Sequence, residues 1–394
     1  MPNTVSRPRF RLVPMRPRDP DEQGRSASPL ELFFDLVFVV AVSIASLELH
    51  HALTEDHVIE GLIAYAVVFF GIWWAWMNFT WFATSFATDD WLYRLMTFIQ
   101  MAGVLVLAAG IGPAFSERNY TILILSYVLM RVAMVAQWLR ASRSAGDSRR
   151  ATQIYAAGIG AIQILWLVQL TLPPSFSTVA LIILIAAELA VPIIAERTGG
   201  TTPWHPHHIT ERYGLFTLIL LGESLLGSGN AIIEALHNEG ALGPLISISA
   251  LALIVTAALW WIYFWPPHHE AISTFGNSLR YGYVHYFVFA AAGALSAGVE
   301  VQIDVLTEHS KLNPVAASFT STAPVAFFVL GIWWIAIRDN ADKLVNTVIP
   351  TGALLILLDP LVPLPFTLTA AILILIVLVL VLREPLPKQN RGSH

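Results

Sequence analysis

An all-α, polytopic membrane bundle is the fold class this sequence predicts, and three observations predict it. Of the 394 residues, 56% are hydrophobic and only 12% charged, about half the charge of a typical soluble domain. Twelve stretches are long and apolar enough to cross a bilayer core of about 30 Å, which takes roughly 20 helical residues. The basic residues gather between alternate pairs of those stretches, as the positive-inside rule requires. The shortage of charge excludes an ordinary water-soluble enzyme and a nucleic-acid binder with a basic face. The lack of any cysteine excludes disulfides, thiolate metal sites and cysteine nucleophiles.

The expected spans lie near 30–49, 58–83, 91–113, 120–140, 151–172, 176–196, 210–235, 244–265, 280–300, 315–338, 343–359 and 364–382. Residues 1–29 are rich in Arg and Pro without an apolar run, so they read as a disordered basic cytoplasmic tail and not as a signal peptide. With that tail inside, all of the 22 basic residues except Arg118, Lys311 and the intramembrane Arg131 fall on inner segments. Both termini, including a tail at 383–394, are then cytoplasmic. The last four residues, Arg391-Gly392-Ser393-His394, carry no weight in this reading.

The second half of the chain echoes the first. Glu31 opens span one ahead of Phe33 and Phe34, and Glu211 opens span seven ahead of Tyr213 and Phe216. Trp73-Trp74 in span two is answered by Trp260-Trp261 in span eight, and Arg94 by Arg280. This predicts two parallel six-helix repeats, 30–196 and 210–382, joined by a cytoplasmic linker at 197–209. Tandem halves of this kind are common in secondary transporters.

Ionisable groups inside a membrane cost roughly 2.5–3.5 kcal/mol each at mid-helix, so each needs a reason. Glu223 falls near the middle of span seven within Gly222-Glu223-Ser224-Leu225-Leu226-Gly227-Ser228-Gly229-Asn230. Such a run of small residues allows a kink or local unwinding that exposes backbone dipoles; close helix packing is the alternative. Arg131, midway along span four, is the expected counter-charge, with Glu188 of span six competing with Glu223 for it. Ser224, Asn230 and His285 complete the candidate solute or proton pathway.

Near the inner face, Glu31 and Asp35 stand four residues apart on one helix face, where like charges repel. With Arg94 they form one candidate gate, and Glu211, Arg212 and Arg280 form its counterpart. His205, His207 and His208, with His268 and His269, are candidates for a divalent metal, although none has helical ligand spacing. Enzyme motifs are absent: two residues beyond Ser224 stands Leu226 where a nucleophile elbow needs glycine, and His269-Glu270 lacks a second histidine at Ser273. No cofactor is expected.

Two segments carry a resemblance. Glu31-Leu32-Phe33-Phe34-Asp35-Leu36-Val37-Phe38-Val39, and His205-Pro206-His207-His208-Ile209-Thr210-Glu211-Arg212-Tyr213-Gly214-Leu215-Phe216 continuing to Leu221-Gly222-Glu223-Ser224, resemble the bacterial low temperature requirement A (LtrA) family. The resemblance spans roughly residues 28–383. It implies a bacterial cell membrane and an emphasis on Glu31, Asp35, His208, Glu211, Arg212, Gly214, Gly222 and Glu223, without supplying a substrate. The expectation from repeat and buried charge is a proton-coupled secondary transporter of a small polar or anionic solute. A membrane-embedded enzyme, a lipid-handling protein or a stress-sensing membrane protein is the alternative. The expected partners are the lipid bilayer, an unidentified small solute and, optionally, further copies of the chain.

Overall fold

The computed structural model describes residues 12–237, 242–362 and 366–386, and no strand occurs among them. The chain is a succession of helices: α1 (Pro29–Thr54), α2 (Val58–Phe86), α3 (Trp91–Ala109), the short α4 (Ile111–Ser116), α5 (Thr121–Ser142), α6 (Arg149–Gln169), α7 (Pro174–Thr198), α8 (Pro206–His237), α9 (Leu242–Phe264), α10 (Phe275–Leu306), α11 (Pro314–Ile332), α12 (Lys343–Leu358) and α13 (Thr367–Val381). Each of the twelve apolar stretches is helical. Among the described residues, ten helical segments are long and apolar enough to cross a membrane. The 15-residue α13 is shorter, and α8, with Glu211, Arg212 and Glu223 in its run, is not among the ten.

Polar residues set the helix starts. Ser28 and Glu31 cap α1 reciprocally: the Glu31 N–H donates to Ser28 Oγ at 3.3 Å, and the Ser28 N–H donates to Glu31 Oε2 at 2.8 Å. This is a capping box, which satisfies two otherwise orphaned donors. Asp90 caps α3 through the Tyr93 N–H at 2.9 Å. Asn313, followed by Pro314 in the first turn, caps α11, and Asp342 caps α12.

The helices form two compact units, residues 1–41 with 74–209 and residues 42–73 with 210–394. Helices α1 and α2 are each divided between them. In the first unit α5 packs on α3 and α6, and α6 on α7. In the second, α10 packs along α11, α12 on α11 and α13, and α13 on α9. Gly298 permits the α10–α11 approach, since a Cβ there would lie 2.3 Å from Thr320 O. The small-residue run of α10 accepts the last part of α1 and the first part of α2. Ser46 Oγ donates to Gly293 O at 3.0 Å and Tyr65 OH to Ala290 O at 2.9 Å.

Two expectations are corrected. Residues 12–28 are not a disordered tail but a strap bonded along the first unit. The Val13 N–H donates to Asp90 Oδ2 at 2.9 Å, the Arg18 N–H to Ser85 O at 2.9 Å, and Arg25 Nη2 to Ala83 O at 3.1 Å. Met15, within the strap, is fully buried. Arg and Pro suppress helix and strand here, yet backbone groups and one apolar anchor find partners. The double tryptophans also differ: Trp73 and Trp74 are buried, whereas Trp260 and Trp261 are 43% and 41% exposed.

Candidate functional site

Acidic residues of the second unit line up along two parallel helices. Ser296 Oγ of α10 donates to Glu223 O of α8 at 3.3 Å. One turn further along both helices, Glu300 lies against Gly227, whose absent Cβ would sit 3.5 Å from Glu300 Oε1. Glycine at 227 therefore makes room for a carboxylate. Glu223, one turn earlier on the same face of α8, is half-buried just past the helix midpoint and interacts electrostatically with Glu300.

His50, near the end of α1, continues the file. Its Nδ1 approaches Glu300 Oε2 at 3.2 Å and its Nε2 meets Asp304 Oδ2 at 2.7 Å. Thr54 Oγ1 donates to the same Asp304 oxygen at 2.9 Å. The His50 side chain is 14% exposed, and those of Glu300 and Asp304 are 23% exposed. These groups are partly open at the protein surface. An imidazole between two carboxylates is a proton-exchanging arrangement.

Sequence reading missed Glu300 and Asp304, because span nine was ended at residue 300 while α10 continues to Leu306. Two acids four residues apart at the end of an apolar span, with a histidine ending another, was the available signal.

The run Gly222–Asn230 does not unwind; α8 is helical throughout. Its small residues serve close packing instead. Ser249 Oγ of α9 donates to Ser228 O at 3.1 Å, and Ser228 Oγ to Ser224 O at 3.1 Å. Ser224 is fully buried, and its Oγ has no hydrogen-bond partner among the described residues. The Asn230 side chain lies outside the described residues.

Arg131 belongs to a different cluster. Within the first unit its Nη2 donates to Glu188 Oε2 at 2.9 Å, with both side chains buried. The same carboxylate accepts Trp74 Nε1 at 2.9 Å, Gln163 Nε2 at 2.8 Å and Trp166 Nε1 at 3.4 Å. Donors from α2, α5 and α6 thus converge on one α7 carboxylate, which satisfies a buried charge as its cost demands. Arg131 Nε and Nη1 have no partner among the described residues.

His285 is fully buried in a closed set of bonds. Its Nδ1 meets Tyr281 O at 2.7 Å, and its Nε2 meets Tyr263 OH at 3.2 Å. His268 Nε2 meets Tyr263 O at 2.6 Å, and its Nδ1 meets Tyr281 OH at 3.0 Å. A carbonyl can only accept, so His285 carries its proton on Nδ1 and His268 on Nε2. Each imidazole ends one link on a backbone carbonyl, which cannot relay a proton. The set latches α9, the turn at His268–Ile272 and α10 together.

The gate residues have different surroundings. Glu31 Oε1 lies 3.2 Å from His208 Nε2, beside its capping role. Asp35 is fully buried and accepts Trp76 Nε1 at 2.7 Å. Arg94 is exposed and reaches Asp89 at 2.6 Å, not the carboxylates of α1. Arg212 is fully buried and Glu211 exposed. Arg280 lies 3.5 Å from Asp339 on an exposed edge.

The metal candidates are corrected as well. Among the described residues no three His, Asp or Glu side chains are grouped to hold a metal. His205 Nε2 bonds Glu22 O at 2.9 Å, and His208 and His268 have the partners already given. His207 is exposed and His269 half-exposed.

The model of the bacterial low temperature requirement A protein (LtrA) family matches residues 26–382. The chain belongs to the LtrA family. This LtrA-family protein is also 29% identical over 253 residues to the uncharacterized protein RA0937 of Rhizobium meliloti (strain 1021), a stretch of 62% of this chain and 59% of that protein. The chain thus spans under two thirds of the length of that relative. The family match begins at the last residues of the strap and includes both histidine segments and the whole Glu223–Asp304 file.

Proposed function

We propose that this LtrA-family protein is a proton-coupled secondary transporter of a small polar or anionic solute, crossing a bacterial plasma membrane twelve times with both termini cytoplasmic. The file Glu223–Glu300–His50–Asp304 carries the reading. Partly exposed acids within membrane-spanning helices are costly unless used, and this file leads from mid-helix in α8 toward the ends of α1 and α10. Glu223 binds the coupling proton, Glu300 and His50 pass it on, and Asp304 with Thr54 holds the far end. Glu188 occupies Arg131, so Arg131 stabilises the first unit and does not serve as the counter-ion of Glu223. The two units stand for the two six-helix repeats, with the last part of α1 and the first part of α2 joining the second.

The test is uptake into proteoliposomes of purified protein under an imposed inward proton gradient, with a panel of radiolabelled amino acids, sugars, carboxylic acids and amines. At least one solute accumulates only with the gradient, and Glu223→Gln abolishes that dependence while the protein remains folded by thermal melting. Accumulation in Glu223→Gln that still follows the gradient unchanged overturns the assignment. So does a panel in which no solute responds to the gradient.

A further inference from the structure

A cleft of about 440 Å³ opens in the second unit where several helix ends meet. Its walls are the first turns of α9 and α11, the last turn of α10 and the first residue of α13. It reaches inward to Leu251, nine residues from the start of α9 and so about 13 Å along the helix. That volume falls within the usual range of small-molecule sites, about 300–1,000 Å³.

Among the described residues the lining contains no charged side chain, which disfavours ions and charged solutes. Pro244, Pro314 and Pro360 stand in it, and proline offers no backbone N–H. The mouth is therefore poor in donors as well as apolar. Ser247, Gln302, Ser318 and Thr367 are its polar members; Ser318 is 4% exposed, and its Oγ has no hydrogen-bond partner among the described residues. A buried hydroxyl without a partner is costly, so this one calls for an acceptor inside the cleft.

We infer that the cleft holds one acyl chain of a bilayer glycerophospholipid, with the Ser318 hydroxyl donating to its ester carbonyl. The position argues for this occupant over a dissolved one. The cleft lies at the ends of membrane-spanning helices, the depth at which ester groups sit above the hydrocarbon core. Its rim is continuous with the outward apolar surface, where Leu306, Val315 and Leu361 are 40%, 44% and 68% exposed. A chain can slide in sideways from the lipid without its headgroup leaving water. The charge asymmetry assigns these ends to the outer leaflet. The inference is independent of the proton file.

The test reconstitutes the full chain in phosphatidylethanolamine–phosphatidylglycerol vesicles doped with a phospholipid carrying a diazirine on one acyl chain, and maps photo-crosslinks by mass spectrometry. Labelling concentrates on peptides containing Leu251, Val305 and Val315, above that at lipid-exposed Leu375 of α13. Ser318→Phe and, from the opposite wall, Leu251→Trp abolish cleft labelling and leave Leu375 labelling unchanged, which also reports that each variant is folded. Ser318→Ala keeps the space and weakens cleft labelling about fivefold, the loss of one hydrogen bond. Cleft labelling no stronger than at Leu375, or unchanged by both blocking variants, overturns the proposal. Displacement of the label by a water-soluble apolar solute but not by excess unlabelled phospholipid overturns it too.

Discussion

Arg131 of α5 donates through Nη2 to Glu188 of α7 at 2.9 Å, and neither side chain is more than 2% exposed. Glu188 takes three further donors from Trp74, Gln163 and Trp166, so one carboxylate fastens four helices of the first unit. Removing either partner leaves an uncompensated buried charge, at a cost of about 3–5 kcal/mol. Arg131→Met is expected to lower stability by that order in thermal or chemical unfolding of the purified protein. The double variant Arg131→Met/Glu188→Met recovers a large part of the loss. Strict additivity of the two single losses would show that the pair is not coupled.

Asp90 joins three parts of the first unit: it caps α3 at Tyr93, bonds Arg140 of α5, and holds the strap at Val13. Burial pushes its carboxyl up, but the bonds from Arg140 and from the two backbone N–H groups outweigh this and hold it below the usual carboxylate range. The stability it contributes is present above the unfolded value of about 3.9 and is lost as pH falls through the lower folded value. Asp90→Ala is expected to cost roughly 1–2 kcal/mol for the cap alone. Hydrogen exchange reads the second effect: the amides of Val13 and Arg18 lose protection first. Unchanged exchange at Val13 would mean that other contacts hold the strap.

His268, in the turn between α9 and α10, gives the second unit a sensitivity to mild acid. Burial pushes its imidazole down to about 4, while its bond to the Tyr263 carbonyl opposes the shift and nearby His269 adds to it. The unfolded histidine titrates near 6.5. Between pH 6.5 and 4 the unfolded chain binds a proton that the folded chain does not, so stability falls as pH drops through that window. The slope is at most about 1.4 kcal/mol per pH unit. Melting temperatures recorded from pH 7.5 to 5 should decline in the wild type, and His268→Gln should lose this component. An identical decline in the variant would assign the effect elsewhere.

The positions of the helices were legible because apolar length is a strong local signal, and ten of the twelve expected spans coincide with a helical segment long and apolar enough to cross a membrane. Residue partners were not. Glu31 was read with Asp35 as a repelling pair, although Ser28 three residues earlier announced a capping box. Glu223 stood out as an isolated charge in its segment. Its neighbour Glu300 is 77 positions away, and only the parallel run of α8 and α10 brings the two together. The glycines of α8 were read as a break, but glycine also admits a neighbouring side chain, as Gly227 does for Glu300. Only tertiary context separates those two uses.

Topology can be tested directly, because the chain has no cysteine to remove. Single cysteines at exposed Glu117 and Glu308 are expected to react with a membrane-impermeant maleimide in intact cells. Cysteines at exposed Arg143 and Asp147 are expected to react only after permeabilisation. A swap within either pair would reverse the orientation, and a mixed result would change the number of crossings.

Helices α8 and α10 each contain 32 residues, whereas α13 contains 15. At 1.5 Å per residue these are rods of about 48 Å and about 22 Å, set against a hydrocarbon film of about 30 Å. The long pair has slack to tilt as chilled lipid stiffens and thickens, and the short one has none. On the twelve-crossing reading proposed above, cooling strains this molecule unevenly, because a thickening film is met by slack in the rods bearing the acids and overshoots α13.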